Sequence, residues 1–352
     1  MAGDITQQLQ DRVLAAWENS HPLCIRGGGT KDFYGRPSDG NILDTGEHRG
    51  VISYEPTELV ITARAGTPLR NIEQVLADNR QMLAFEPPAF GEQATLGGTI
   101  ACNLSGPRRA YAGAARDFVL GTKILNGKGE LLHFGGEVMK NVAGYDVSRL
   151  MTGAMGTLGV MLEVSLKVLP LPETEITLLQ SLEHDQALAK MHAWGRKALP
   201  ISASCFHHGR LAIRLSGADN AVQAASQVIG GERLAEADTF WQSVREQQHD
   251  FFHANTLWRL SLASNSPALP LAGDYFYEWG GALRWLKTEA PATEVFAALQ
   301  AVDGHASLFR SDASRQQVFQ PLTSGLMALQ RQLKQAFDPR GILNPGRMYQ
   351  QL

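Results

Sequence analysis

Apolar residues recur four apart at Ile5, Leu9, Val13 and Trp17, so the chain is expected to open on a helix with one buried face. Pro22 to Arg26 then reads as a short strand, Leu59 to Ala65 as another, and Pro68 to Asn79 as a helix that turns Leu69, Ile72, Val75 and Leu76 inward. Asn126-Gly127-Lys128-Gly129 separates two alternating runs, and both residue types tolerate positive φ, so a hairpin is predicted there. Further along, Ile201 to His207 and Leu211 to Leu215 flank a turn at His208-Gly209, and Ala218 to Ile229 has helical periodicity. Leu257 to Leu262, Tyr275 to Trp279, Leu283 to Leu286 and Ala306 to Phe309 read as strands, with Thr293 to Ala301 helical.

The punctuation changes near Leu169-Pro170-Leu171-Pro172. Alternate prolines fit neither a central strand nor a helix interior, so a lobe boundary is placed there. The expected division is residues 1–170, a second unit over 171–312 with antiparallel sheet and helices on one face, and a last segment over 313–352. That last segment ends in Phe337-Asp338-Pro339-Arg340-Gly341-Ile342-Leu343-Asn344-Pro345-Gly346-Arg347, a rigid, turn-rich tail.

Composition narrows the partners. The 352 residues are 44% apolar and 19% charged, enough for a sizeable core, and the formal charge of -3 supplies no basic field for nucleic acid or anionic membrane. No run approaches the roughly 18 apolar residues of a spanning helix, and the N-terminus lacks the order of an export signal. A cytoplasmic protein is expected, with any membrane contact peripheral and through a partner. Cys24, Cys102 and Cys205 have no metal or cluster spacing and are read as buried, reduced thiols.

Three glycine-bearing segments could approach a large ligand. In Ile25-Arg26-Gly27-Gly28-Gly29-Thr30, with Gly35 nearby, positive φ would let successive N–H groups face one concavity, as a pyrophosphate requires. A plain glycine turn accounts for the same residues equally well. Thr95-Leu96-Gly97-Gly98-Thr99-Ile100-Ala101-Cys102-Asn103-Leu104-Ser105-Gly106 offers close backbone approach plus Asn103 and Ser105, or else a tight helix-to-loop transition. Gly153-Ala154-Met155-Gly156-Thr157-Leu158-Gly159-Val160 repeats glycine every third residue ahead of an apolar strand, and for Gly153 simple packing is favoured. None is a Rossmann fingerprint or a Walker loop.

Taken together, their order resembles the vanillyl-alcohol-oxidase-type (PCMH-type) FAD-binding domain across residues 20 to 170, with Phe337 to Arg347 similar to the family's closing tail. Lys140-Asn141-Val142-Ala143-Gly144-Tyr145-Asp146 resembles a string of flavin-dependent 2-hydroxy-acid dehydrogenases. The likeness extends nearly end to end to the smaller FAD-binding subunits of bacterial glycolate oxidases. It runs through Pro56-Thr57-Glu58-Leu59-Val60-Ile61-Thr62-Ala63-Arg64-Ala65-Gly66-Thr67-Pro68, Gly135-Gly136-Glu137-Val138-Met139-Lys140 and Trp279-Gly280-Gly281-Ala282-Leu283-Arg284-Trp285-Leu286.

The resemblance implies an α+β, two-lobed flavoprotein with an antiparallel-sheet cap. Arg26 to Thr30 would hold the pyrophosphate, Thr95 to Ser105 would line flavin and diphosphate, and Gly159 and Val160 would serve the adenine side. Asn344 would reach the flavin from the tail. Some relatives attach flavin through a histidine in the first loop; none stands beside Thr30, so noncovalent FAD is expected. The implied partners are a larger FAD-containing subunit and an iron-sulfur subunit, with glycolate or a similar 2-hydroxy acid such as D-lactate as substrate. A chain without a cluster of its own must pass electrons onward.

Oxidising such an acid needs a cation for its carboxylate and a base near its hydroxyl. Arg259 and Arg284 are the arginines singled out for the first task, although alternation also allows each to face solvent. Catalytic relatives hold a divalent metal with a histidine pair and a His-x-Gly-Asp-Gly-Asn stretch. Here Val302-Asp303-Gly304-His305-Ala306-Ser307 keeps little of it, and His207 and His208 are expected to face opposite ways as turn residues, so no metal is assigned. Two functions stand: a working dehydrogenase half, or a flavin-bearing assembly and relay subunit beside a catalytic partner. An oxidase passing electrons to oxygen is a third.

Overall fold

The computed structural model describes residues 3–136, 146–312 and 315–352. Most of the string Lys140 to Asp146, and Glu137 to Lys140 of the preceding segment, lie outside them. The opening helix is Thr6–Asn19, with Leu9, Val13 and Ala16 buried, and it ends where Ser20 enters the left-handed region.

Three sheets build the first part, the smallest pairing Gln81–Met82 with Leu169–Pro170. Leu23–Arg26 and Asn41–Asp44 pair in parallel, whereas Val51–Glu55, Val60–Arg64, Val160–Lys167, Val119–Leu125 and Leu131–Gly135 form a five-stranded antiparallel sheet in that spatial order. The expected hairpin joins its last two strands: Asn126 Oδ1 accepts from the Lys128 and Glu130 N–H groups, an Asx turn that holds the tip. Helices Leu69–Ala77 and Leu96–Cys102 pack Leu69, Ile72, Leu76 and Ile100 against Val164 and Leu166 of the long strand.

The remaining large sheet has eight antiparallel strands, all between residues 174 and 311. In spatial order they are Glu232–Arg233, Thr174–Ser181, Arg210–Gly217, Ile201–His207, Asp274–Glu278, Leu283–Lys287, Thr256–Ser261 and His305–Ser311. Alternation sorts its two faces. One carries Leu178, Ile213, Leu260 and Leu286 under helices His184–Gly195, Asp219–Ile229 and Ala292–Gln300. The other carries Phe276, Trp285 and Phe309 and packs on Tyr34, Leu104 and Met155 of the first part. The expected strand Tyr275 to Trp279 stops at Glu278, because Trp279 turns to φ +55 and begins a short 3-10 turn.

Polar latches join these layers. Glu86 accepts from the backbone N–H and guanidinium of Arg108 and from Arg214 Nη2 at 2.7 Å, and Arg108 reaches Glu175 at 2.6 Å. Burial favours neutral Glu175, but Arg214 and Arg108 outweigh it and hold its carboxyl below the usual range. Trp279 donates from its indole N–H to the Gly106 carbonyl, and Glu246 accepts from Ala89 and Phe90 N–H.

Helix Ser324–Phe337 leads to the tail. Its Lys334 is buried and donates to Asp338 Oδ2, to the Leu343 carbonyl and to the Thr157 carbonyl. Asp338 in turn accepts from Ile342 and Leu343 N–H, so one ion pair shapes the turn and pins it to the glycine-rich 153–160 segment. Removing one partner of a buried pair strands the other charge, at about 3–5 kcal/mol. Lys334→Met is therefore expected to lower the unfolding free energy by about that amount in urea titrations; a loss under about 1 kcal/mol would mean that water reaches Asp338.

Candidate functional site

The first glycine loop leaves the Leu23–Arg26 strand and forms one wall of a cleft of about 290 Å³. Arg26, Gly27, Gly28, Gly29 and Thr30 line it together with Thr95, Gly97, Gly98, Gly159 and Asn344, so ten of the residues singled out in the sequence converge there. Lys31, Cys24, Cys102, Met155, Arg315 and Arg347 complete much of the surface; Cys102 lies in the Thr95–Ser105 stretch expected to line the site, whereas Lys31 and Arg315 carried no sequence signal. Cys24 and Cys102 are thus not the buried core thiols expected; only Cys205 is buried.

Among the described residues, no protein acceptor meets the backbone N–H groups of Gly28, Gly29, Thr30 and Lys31. Four consecutive donors on the wall of a cleft, beside the Arg26 and Lys31 cations, fit a diphosphate. The expected geometry of the loop needs correction in one respect. Only Gly29 has positive φ, at +71°; Gly28 is required because a Cβ there would lie 1.5 Å from the Gln93 carbonyl oxygen. Lys31 is held by the Ala89 carbonyl and lies near the Phe90 ring, and burial draws its pKa down.

The second segment is differently disposed. Thr95 caps helix Leu96–Cys102 by accepting from Gly98 N–H, and Gly97 donates to the Ala65 carbonyl. Their N–H groups are therefore already engaged, and a Cβ on Gly97 would come within 2.7 Å of Ala65 Cβ. Asn103 closes that helix in the left-handed region and lies outside the cleft lining, with its Oδ1 buried and unpartnered. Ser105 also leaves the cleft: its hydroxyl accepts from Ala115 N–H. Gly35, at φ +87, packs on Met155 and Arg347, and Val160 is buried in the core under the opening helix. Gly153 makes the close approach to Asn103 that favoured a packing role.

Asn344 lines the cleft, but its side chain is occupied by the fold. Its Oδ1 accepts from Ile25 N–H at 2.7 Å, its Nδ2 donates to the Met155 carbonyl at 2.7 Å, and its backbone N–H donates to Leu23. The residue ties the strand that leads into the first glycine loop, the third glycine segment and the tail at one point.

The two arginines part company. Arg284 is fully buried and donates to the carbonyls of Gly281, Pro267 and Ser266, on the helix-covered face with Tyr277. Those carbonyls engage the guanidinium, so it is not disposed to hold a substrate carboxylate. Arg259 pairs in register with Trp285 and lies on the interface face, with its guanidinium 5.3 Å from the Trp279 ring. Neither faces solvent as alternation allowed.

Beside Arg259 stands Glu278, which sequence reading passed over because it looks like one more strand residue. Its Oε2 accepts from the Trp285 indole at 2.7 Å, and the pair borders a cavity of about 20 Å³ with Ser105 and Gln247. Burial pushes the Glu278 carboxyl up to about 7, against the indole hydrogen bond and the charge of Arg259. Such a pair can hold or move a proton near neutral pH. The cavity takes about one water, which needs about 10–15 Å³ by the same measure.

The histidines also differ from expectation. His207 and His208 do not face opposite ways: their rings stack at 3.9 Å, both directed at Asp274. His208 takes φ +43 in the turn, which folds its ring back over its neighbour.

Comparison with known proteins accords with this architecture. Residues 4–135 match a family model described as an FAD binding domain, and residues 314–348 one described as the C-terminal domain of FAD linked oxidases. The fold is shared with solved alkyldihydroxyacetonephosphate synthase, at a TM-score of 0.68 and 14% identity over 98% of this chain and 75% of that one. Fold and cleft thus define an α+β, FAD-linked oxidoreductase of the PCMH type.

Within that class, the chain belongs to the family of the glycolate oxidase subunit GlcE of Escherichia coli, to which it is 48% identical over 99% of both sequences. It is also 34% identical over 187 residues to glycolate oxidase subunit GlcD of Bacillus subtilis, and 30% identical over 182 residues to a D-lactate dehydrogenase of Anaerostipes hadrus. Those matches take in 53% and 51% of this chain but only 40% and 38% of the relatives. Among the described residues, no helix is long and apolar enough to cross a membrane.

The interface acid gives a pH-dependent test. Between its ordinary value near 4.5 and about 7, the folded protein retains a proton that the unfolded chain has released, so Glu278 lowers stability as pH rises through that window. Glu278→Gln is expected to be more stable than the parent by up to about 3 kcal/mol at pH 8, with the difference vanishing near pH 4. A difference independent of pH in denaturant titrations would show that the carboxyl does not titrate there.

Proposed function

We propose that this chain is an FAD-bearing subunit of a complex that oxidises glycolate, or a related 2-hydroxy acid such as D-lactate, and sends the electrons through flavin to an iron-sulfur partner. The observation that carries the reading is the cleft, whose four unpaired N–H groups and flanking cations suit a diphosphate, in a chain so similar to a glycolate oxidase subunit. Residues 1–170 and 313–352 would hold the cofactor and 171–312 form the cap. A larger flavin subunit, related to the GlcD sequence, would be the other partner, with the assembly in the cytoplasm or peripheral at the inner membrane.

When bound, FAD supplies the acceptor for two electrons and a hydrogen from the carbinol carbon. The chain's own contribution would be to hold the diphosphate on the Arg26–Lys31 loop and to present Arg259 to an anion at the interface. Attachment would be noncovalent, since no histidine is among the described residues that line the cleft. Acid precipitation is expected to release all the yellow colour into the supernatant; colour kept in the pellet would instead implicate Cys24 or Cys102.

A second reading is favoured by the size of the interface cavity. About 20 Å³ around Arg259 and Glu278 admits a water and not a 2-hydroxy acid, which supports a flavin-carrying assembly or relay subunit with the substrate chemistry in the larger partner. Anaerobic addition of glycolate and D-lactate to the FAD-loaded chain separates the two. Bleaching of the flavin by the isolated chain, weakened at least about tenfold in Arg259→Met, would assign it an active site of its own. A flavin that stays oxidised until the partners are added would assign catalysis to the assembly, and peroxide formed with substrate by the chain alone would overturn both.

A further inference from the structure

The tip of the hairpin between Ile201–His207 and Arg210–Gly217 carries a cluster that neither the cleft nor the Arg259–Glu278 pair uses. His207 Nε2 and His208 Nε2 each lie 3.2 Å from Asp274 Oδ1, across to the neighbouring strand Asp274–Glu278. All three ligand atoms lie within 4.8 Å of one another. An ion bound tetrahedrally at about 2.0–2.2 Å from nitrogen and oxygen would separate its ligands by about 3.3–3.6 Å. The two histidine-to-Asp274 spacings fall near that range, and the exposed His208 ring must swing out of its stack on His207 for the two lone pairs to converge on one ion.

We propose that His207, His208 and Asp274 bind a zinc-class divalent cation. The donor set of two imidazoles and one carboxylate suits Zn²⁺, and the fourth position opens to solvent because His208 is 75% exposed. Lys287 Nζ lies 2.9 Å from Asp274 Oδ2, the other carboxylate oxygen, so it orients the group and leaves Oδ1 toward the histidines.

The His207 ring is walled by Phe251 at 5.1 Å, Phe276 at 5.5 Å and His249 at 5.7 Å, which fixes its direction before any ion arrives. Asp274 and Glu278 stand at opposite ends of one strand, so the ion would fasten the hairpin tip to its neighbour far from the acid-arginine pair. It would also offer an open coordination position to water or to a side chain from a docked protein.

The test uses the untagged, FAD-loaded chain, stripped with chelator and titrated calorimetrically with Zn²⁺, with Co²⁺ as the spectroscopic probe. One equivalent should bind, Co²⁺ should give the visible spectrum of a low-coordinate nitrogen-oxygen site, and Zn²⁺ should raise the melting temperature. His208→Ala lies on an exposed turn and is expected to fold normally while losing affinity about tenfold or more, as is Asp274→Asn. Absence of saturable one-to-one binding, or affinity unchanged in His208→Ala, would overturn the proposal.

Discussion

The carboxamide of Asn344 is the point on which the cofactor cleft depends. One oxygen and one nitrogen join the Ile25 N–H at the end of the first strand to the Met155 carbonyl in the third glycine segment, and the residue that makes both bonds belongs to the tail. Among the described residues, no strand ladder joins the two walls at that place. Lys334 and Asp338 hold the tail in the conformation that delivers Asn344, and Lys334 adds its own bond to Thr157. A buried amide with both ends committed has a fixed direction, so the walls of the cleft inherit a fixed separation.

Around this fixed cleft the large sheet is attached by charge rather than by shape alone. Glu86, Arg108, Arg214 and Glu175 alternate in sign across the contact, and each is satisfied by more than one partner. The indole of Trp279 and the carboxylate of Glu246 then fix the sheet's open face over residues 86–106. Arg259 and Glu278 sit within that contact, where burial weakens the preference of each for its charged form. The interface is thus tightly latched yet contains one pair whose charge is close to balanced between two states.

Much of this was legible in the sequence because it is local. Helical spacing placed the opening helix, and the asparagine-glycine pair placed the hairpin. The glycine loops were legible as close approaches, and nine of their residues meet in one cleft with Asn344 of the tail. What was not legible was the reason for each glycine. Gly28 yields to the Gln93 carbonyl and Gly97 to Ala65, partners more than 30 residues away, and no local pattern names them. Arg259 and Arg284 look alike in the sequence, but strand register places them on opposite faces. Glu278 was missed because a buried acid in an alternating strand is recognisable only once its surroundings are known. His207 and His208 were misread for a backbone reason, since a left-handed turn reverses the side-chain alternation of a strand.

The delivery of Asn344 by a segment translated after both walls also sets a timetable for biosynthesis. A nascent chain emerging from the ribosome exposes both walls of the cleft, including Cys24 and Cys102, long before the residue that joins them is translated. The two walls therefore stay uncoupled until the segment carrying Lys334, Asp338 and Asn344 has been made and docks, whatever the order in which each wall folds.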